Sequence, residues 1–201
     1  FQEGHYRSAM EDVNLRASFD YRPNVDHRIR MGSDYLFHLF RPEQSNMSSW
    51  YKDSVVSQMN NTIFSHSLIH GHEVSLYAED EMLLTYRLRV NAGLRFTLFH
   101  VQGETYQSFQ PRFSTRYLLG RNLSAKVSYT KMNQYIHLLS NSYISQPTDI
   151  WVPVTGNIRP MHAHQVTSGL FWHYKELDFS VEGYYKRMNN LVEYKDNGPV
   201  L

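Results

Sequence analysis

Apolar and polar residues alternate with a period of two along eight stretches of the chain. The clearest is Leu88 to Leu98, where Leu88, Val90, Ala92, Leu94, Phe96 and Leu98 fall on one side and Arg89, Asn91, Gly93, Arg95 and Thr97 on the other. A helix does not space residues in this way; a pleated strand, whose successive side chains point to opposite faces, does. Val13 to Tyr21 repeats the pattern, Ile29 to Phe37 continues it less cleanly, and Val74 to Ala78 is a short version of it. Phe113 to Leu119, Leu123 to Tyr129, Val166 to Tyr174 and Leu177 to Tyr185 complete the set. The fold class expected is all-β, an antiparallel up-and-down sheet of about eight strands, read as a segment of a large transmembrane β-barrel.

Connection lengths support that reading. Short turns are expected near 22–26, 84–87, 120–122 and 175–176, the first built on Pro23, Asn24 and Asp26. Proline presets one dihedral there, and Asn and Asp bond back to the main chain. Long loops are expected at 41–70, 100–107 and 136–160, so residues 1–201 form one barrel segment with short turns at one end and long loops at the other. Outer-membrane barrels carry short periplasmic turns and long extracellular loops. With a short first connection both chain ends fall on the long-loop side, which reads as a barrel cut through two outer loops. The chain opens at Phe1 with no basic or apolar leader pattern, so any export signal is expected outside it.

Composition narrows the function class. The 201 residues carry 20 basic and 19 acidic side chains, which gives a nucleic acid no electrostatic reason to bind. There is no cysteine, so neither disulfide nor thiolate chemistry is available. No apolar run approaches the roughly 20 residues of a spanning helix, a test that is blind to alternating strands. Several of the 15 tyrosines sit with tryptophan beside the short turns, at Tyr21, Tyr86, Trp172 and Tyr174. They suit an interfacial girdle, although tyrosine is also simply a good strand former.

Three phrases resemble the barrel of TonB-dependent outer-membrane receptors of the Bacteroidetes type. They are YAEDEMLLTYRLRVNAGLRF (Tyr77 to Phe96), FQPRFSTRYLLGRNLSAKVSYTKMNQYIHLLSNS (Phe109 to Ser142) and FSVEGYYKRMNNLVEY (Phe179 to Tyr194). The first is similar to an acidic run before a turn and a Gly-Leu-Arg strand, and MNQYIHLLSNS is the most specific piece. The resemblance implies a barrel of roughly 22 strands in the bacterial outer membrane, lipid as a partner, a plug within the barrel and TonB pulling on it. The resemblance leaves room for a surface lipoprotein as a further partner. The implied role is nutrient binding and TonB-dependent uptake, by binding and gating, with plug and TonB contacts outside these residues.

Candidate sites follow from the long loops. Aromatic side chains suit sugars, porphyrins and peptides alike, which singles out Trp50, Tyr51, Tyr135, His137, Tyr143 and Trp151 as ligand-binding candidates. The same rings could instead pack the loops on themselves. His66, His70 and His72 cluster, and His70 and His72 would share a strand face as weak metal candidates, or simply end a polar loop. Glu79, Asp80 and Glu81 read either as a cation site or as a solvated strand end. Arg16, Arg89, Arg95, Arg112, Arg116 and Lys126 all lie on the polar face, where a water-lined lumen would hold a plug through charged hydrogen bonds. No cofactor pattern appears, and no nucleophile, phosphate loop or zinc spacing supports catalysis; Ser140 near His137 is the faintest of hints.

Two other readings remain open at this point. A self-contained eight-stranded barrel, lipocalin-like or a small outer-membrane protein, would bind an apolar ligand. An outer-membrane enzyme would need a catalytic centre near the loop rim. Alternation alone does not say which face is inward. If the segment is open, its unpaired edges and apolar face should make the isolated chain self-associate.

Overall fold

The computed structural model describes residues 2–49, 68–139 and 150–192. Its strands are β1 (Gln2–Tyr21), β2 (His27–Ser49), β3 (Ile69–Thr85), β4 (Leu88–Val101), β5 (Glu104–Leu118), β6 (Leu123–Gln134), β7 (Ile136–Leu139), β8 (Ile150–Pro153), β9 (Met161–Tyr174) and β10 (Leu177–Asn189). Eight of them form one antiparallel sheet in the order β1-β2-β3-β4-β5-β6-β9-β10, and β7 pairs with β8 in a separate hairpin. Among the described residues β1 and β10 are not paired with each other, so the sheet is open, with a free edge at each end.

The two faces of this sheet settle the question that alternation leaves open. Side chains converge on the concave side of a curved sheet and diverge on the convex side, so the crowded face is the inner one. The crowded side chains are polar: Ser75 and Thr97 are fully buried, and Asp34, His38, Ser108, Gln110 and Ser124 nearly so. Cross-strand registers such as Asp34↔Ser75, Ser75↔Thr97 and Thr97↔Ser108 put them on one face. The opposite face presents Leu15 at 71% exposure, Phe19 at 67% and Val181 at 76%. A water-soluble barrel with an apolar cavity needs the reverse arrangement. Apolar-out, polar-in is the arrangement of a wall between lipid and a wet lumen.

Two connections differ from the sequence expectation. The loop expected at 41–70 is largely strand at both ends: β2 continues to Ser49, with Gln2 to Arg7 paired against Gln44 to Ser49, and β3 begins at Ile69. A membrane crossing takes about 10 residues, so this 23-residue strand runs beyond the bilayer. There the alternation in the sequence fades, and main-chain pairing with β1 continues to Ser49. The loop expected at 100–107 is a two-residue turn, Gln102–Gly103, with φ of 49° and 86°. Left-handed geometry at both positions suits a tight hairpin, and Gly103 is the residue that permits it.

At the short-turn end, Asn24 Oδ1 accepts hydrogen bonds from the main-chain N–H groups of Asp26 and His27 at 3.0 and 2.9 Å. Trp172 stacks on Phe179, with ring centroids 5.6 Å apart, and lies equally close to Tyr174. On the inner face Gly32 lies under the Tyr77 ring. A Cβ there would come within 2.6 Å of the Tyr77 oxygen, so glycine lets β2 and β3 bring a large side chain inward without a clash.

Candidate functional site

The inner face is wired by charge from one strand to the next. Asp34 on β2, 2% exposed, accepts from Arg16 of β1 at 2.5 Å and from Arg95 of β4 at 2.9 Å. Arg95 also lies 3.9 Å from Glu73, whose carboxylate accepts from Ser75. Ser75 and Thr97 share a hydrogen bond of 2.9 Å, and Gln110 donates to Thr97 and Ser108. Tyr135 closes this line by donating to Ser108 at 2.6 Å. Nearer the short turns, Glu79 accepts from Arg30 at 2.6 Å with Arg112 at 4.0 Å, and Arg89 meets Glu81 at 3.2 Å.

Of the six basic residues expected on the polar face, Arg16, Arg89, Arg95 and Arg112 face acids. Lys126 lies over the Phe171 ring at 4.1 Å, and with Arg89 and Arg116 it lines a groove of about 360 Å³ that also holds Glu81 and Glu182. The acidic run divides in two: Glu79 and Glu81 point inward to arginines, whereas Asp80 pairs with His27 at 2.7 Å on the outward side.

The long-loop end carries an apolar cap. Phe99, Val101, Tyr135 and Val154 form a buried cluster with Ile69, Tyr106 and Ile136 packed against it. Phe99 and Tyr135 stack at 5.0 Å with their planes 8° apart. The main-chain N–H of Val154 donates to the Tyr135 carbonyl at 2.8 Å, and the Tyr106 hydroxyl donates to the Thr155 carbonyl at 2.6 Å. The β7–β8 hairpin thereby folds back over the inner face, and β8 reaches β1 and β2.

This hairpin, within the expected loop 136–160, was invisible to periodicity because its strands are four residues each. Tyr135, just before the hairpin, and His137, within β7, are buried, while Trp151 on β8 is 39% exposed. Trp50, Tyr51, Tyr143, His66 and Ser140 lie outside the described residues. His70 and His72 face outward: His72 Nδ1 is 3.0 Å from the Tyr35 hydroxyl, and His70 stacks on Phe37. Among the described residues no three metal-ligating side chains come together. Sequence reasoning also passed over Asp34; its signal was an acid placed opposite Arg16 on a hairpin whose register the short turn fixes.

Burial raises the Tyr135 phenol above its ordinary range and holds the His137 imidazole below its own. His137 Nε2 is buried with no partner. An exposed hairpin therefore takes up a proton more readily than the packed one, and the contribution of a neutral His137 is fully present above about pH 6.5 and lost on acidification. In the intact protein, the protection of the amides of residues 135–139 against hydrogen exchange, relative to their intrinsic rates, is expected to fall from pH 7.5 to 5.5. His137→Phe should remove that dependence; exchange that is pH-invariant beyond its intrinsic rate would refute it.

An open antiparallel wall with lipid-suited residues outside and an ion-paired lumen inside defines a piece of an outer-membrane barrel. The TonB dependent receptor-like, beta-barrel family matches residues 2–201, and the chain belongs to that family of the bacterial outer membrane. No curated protein matches the chain. Among solved structures it is similar to the FrpB iron transporter from Neisseria meningitidis, at 14% identity and TM-score 0.64, over 96% of this chain and 30% of that one. The copper transporter OprC aligns at 14% identity and TM-score 0.66, over 92% and 30%. A mutant ferric enterobactin receptor, PfeA, from Pseudomonas aeruginosa aligns at 13% and 0.67, over 92% and 28%. The chain thus spans under a third of the length of each, and at these identities the likeness is one of fold.

Proposed function

We propose that this chain is the wall of a receptor that captures a scarce solute at the cell surface and admits it by TonB-driven movement of a plug. The observation that carries the proposal is the inner face, where Arg16, Asp34, Arg95 and Glu73 line a lumen instead of an oily core. A lumen of mixed charge suits a folded plug held by many charge-assisted hydrogen bonds, each weak enough to exchange for water when pulled. The groove beside Arg89, Arg116 and Lys126 offers three cations against Glu81 and Glu182, which favours an acidic surface on that plug.

The mechanism is binding and gating, without bond chemistry. The hairpin over the inner face narrows the mouth, and Trp151, exposed on it, is the described aromatic best placed to meet a solute. Tyr135 and His137 serve the same site by holding that hairpin in place. The structures named above are an iron transporter, a copper transporter and a ferric enterobactin receptor, so cargo is not set by the wall alone.

The test compares host strains lacking the full-length receptor or lacking TonB during growth on one limiting nutrient at a time. Ferric chelates, copper, oligosaccharides and peptides are supplied in turn. Both strains should fail on the same nutrient. Growth equal to the parent strain on every nutrient would overturn the proposal.

A further inference from the structure

Strands β6, β9 and β10 share an outward face that holds no acidic residue. The only acids in these strands, Asp178 and Glu182, stand opposite His173 and Gly169, positions of inward parity. On the outward side the face is apolar from the Leu123, Trp172 and Phe179 rung upward. It then reaches a rung of Tyr129, Val166 and Tyr185, and immediately beyond it a rung of Lys131, His164 and Arg187. The His164 ring is fixed by the Tyr129 hydroxyl, 2.9 Å from Nδ1, which leaves Nε2 free to bond elsewhere.

Three basic side chains on adjacent strands about 4.8 Å apart lie within roughly 10 Å of one another. Placed side by side they repel. Among the described residues no ion pair relieves them. Such a rung is best satisfied by an anion from outside the chain. Its height says which anion. Lys131 lies eight residues beyond Leu123. That is about 27 Å along a strand, and less across a tilted wall, against an apolar band about 25 Å tall. The rung therefore stands at headgroup level on the long-loop side, just past a pair of interfacial tyrosines.

We infer that Lys131, His164 and Arg187 form a binding site for the phosphate-bearing headgroup of an outer-leaflet lipid. Lysine and arginine supply charge-assisted donors to the phosphate oxygens, and His164 Nε2 adds a third donor in the tautomer whose Nδ1 accepts from the Tyr129 hydroxyl. The acyl chains then lie along the apolar rungs below. The inference rests on the outer-membrane reading, with the long-loop end outermost.

The experiment uses the full-length receptor in phosphatidylcholine nanodiscs, with native mass spectrometry to count retained lipid A in its phosphorylated form and with the phosphates removed. The wild type should prefer the phosphorylated lipid about tenfold or more, and a Lys131→Gln, Arg187→Gln variant should lose most of that preference. Equal retention of both lipids by the wild type, or an unchanged preference in a folded double variant, would overturn the site. The wild-type comparison needs no variant to fold. Membrane fractionation of the same cells separates the two ideas: a receptor in the outer membrane without lipid preference sinks this site alone, and one absent from it sinks the reading beneath.

Discussion

Refolded alone in the absence of detergent, residues 1–201 are expected to assemble into large particles with scarcely any monomer. The cause is visible at both edges and across one face. β1 and β10 each leave a row of main-chain donors and acceptors without a strand partner among the described residues, which is a template for pairing with another copy. The outward face adds Val13, Leu15, Phe19, Leu76, Leu94, Phe109, Val181 and their neighbours, more than a third exposed and contiguous through the cross-strand registers. An apolar area of that kind, out of lipid, is covered by other copies. Light scattering reads the result directly, and a stable monomer without detergent would count against an open wall. Detergent should cover the face but leave the edges, reducing the particles without abolishing them.

Replacing Asp34 with alanine in the full-length receptor is expected to cost about 3 kcal/mol, the low end for breaking a buried ion pair. The figure sits at the low end because Arg16 is largely exposed in this segment, whereas Asp34 and much of Arg95 are not. Without the carboxylate, two guanidinium groups face a shared vacancy and Arg95 keeps only Glu73, 3.9 Å away. Urea unfolding in micelles should show a lower midpoint at unchanged slope. Asp34→Asn should recover part of the loss by accepting one hydrogen bond. A midpoint unmoved by either change would mean that the inner-face network contributes little to the wall.

How much of this was legible in the sequence depends on where water is. In the bilayer zone the two faces of a strand meet opposite solvents, and Leu88 to Leu98 announces its geometry residue by residue. Beyond the bilayer a strand need not separate apolar from polar positions, and Pro42 to Ser49 gives no alternation although the backbone of β2 continues through it. The Gln102–Gly103 turn was hidden for a related reason: Phe99 and Val101 turn inward under an apolar cap, where the rule that inward means polar fails. Orientation was not legible at all. It came from the burial of Ser75 and Thr97 against the exposure of Leu15, a matter of curvature that pattern does not encode. The site was half visible: the polar-face arginines could be listed from strand parity, but their partners Asp34, Glu79 and Glu81 required the register. Tyr135 and His137 stood out as loop aromatics, yet their burial depends on a hairpin returning over the inner face, a long-range contact without local signal.

The central claim is that this wall stays open and belongs to a larger barrel. The most direct measurement is the distance between nitroxides at Ser18→Cys and Ser180→Cys, by pulsed electron resonance on the full-length receptor in detergent. Both positions lie on the inner face, on β1 and β10, the first and last strands of the eight-stranded order. With seven inter-strand steps of about 4.8 Å between them, the account expects a narrow distribution near roughly 30 Å. A distribution centred near one or two strand spacings would mean that β1 and β10 close on each other as a small barrel, and would contradict it.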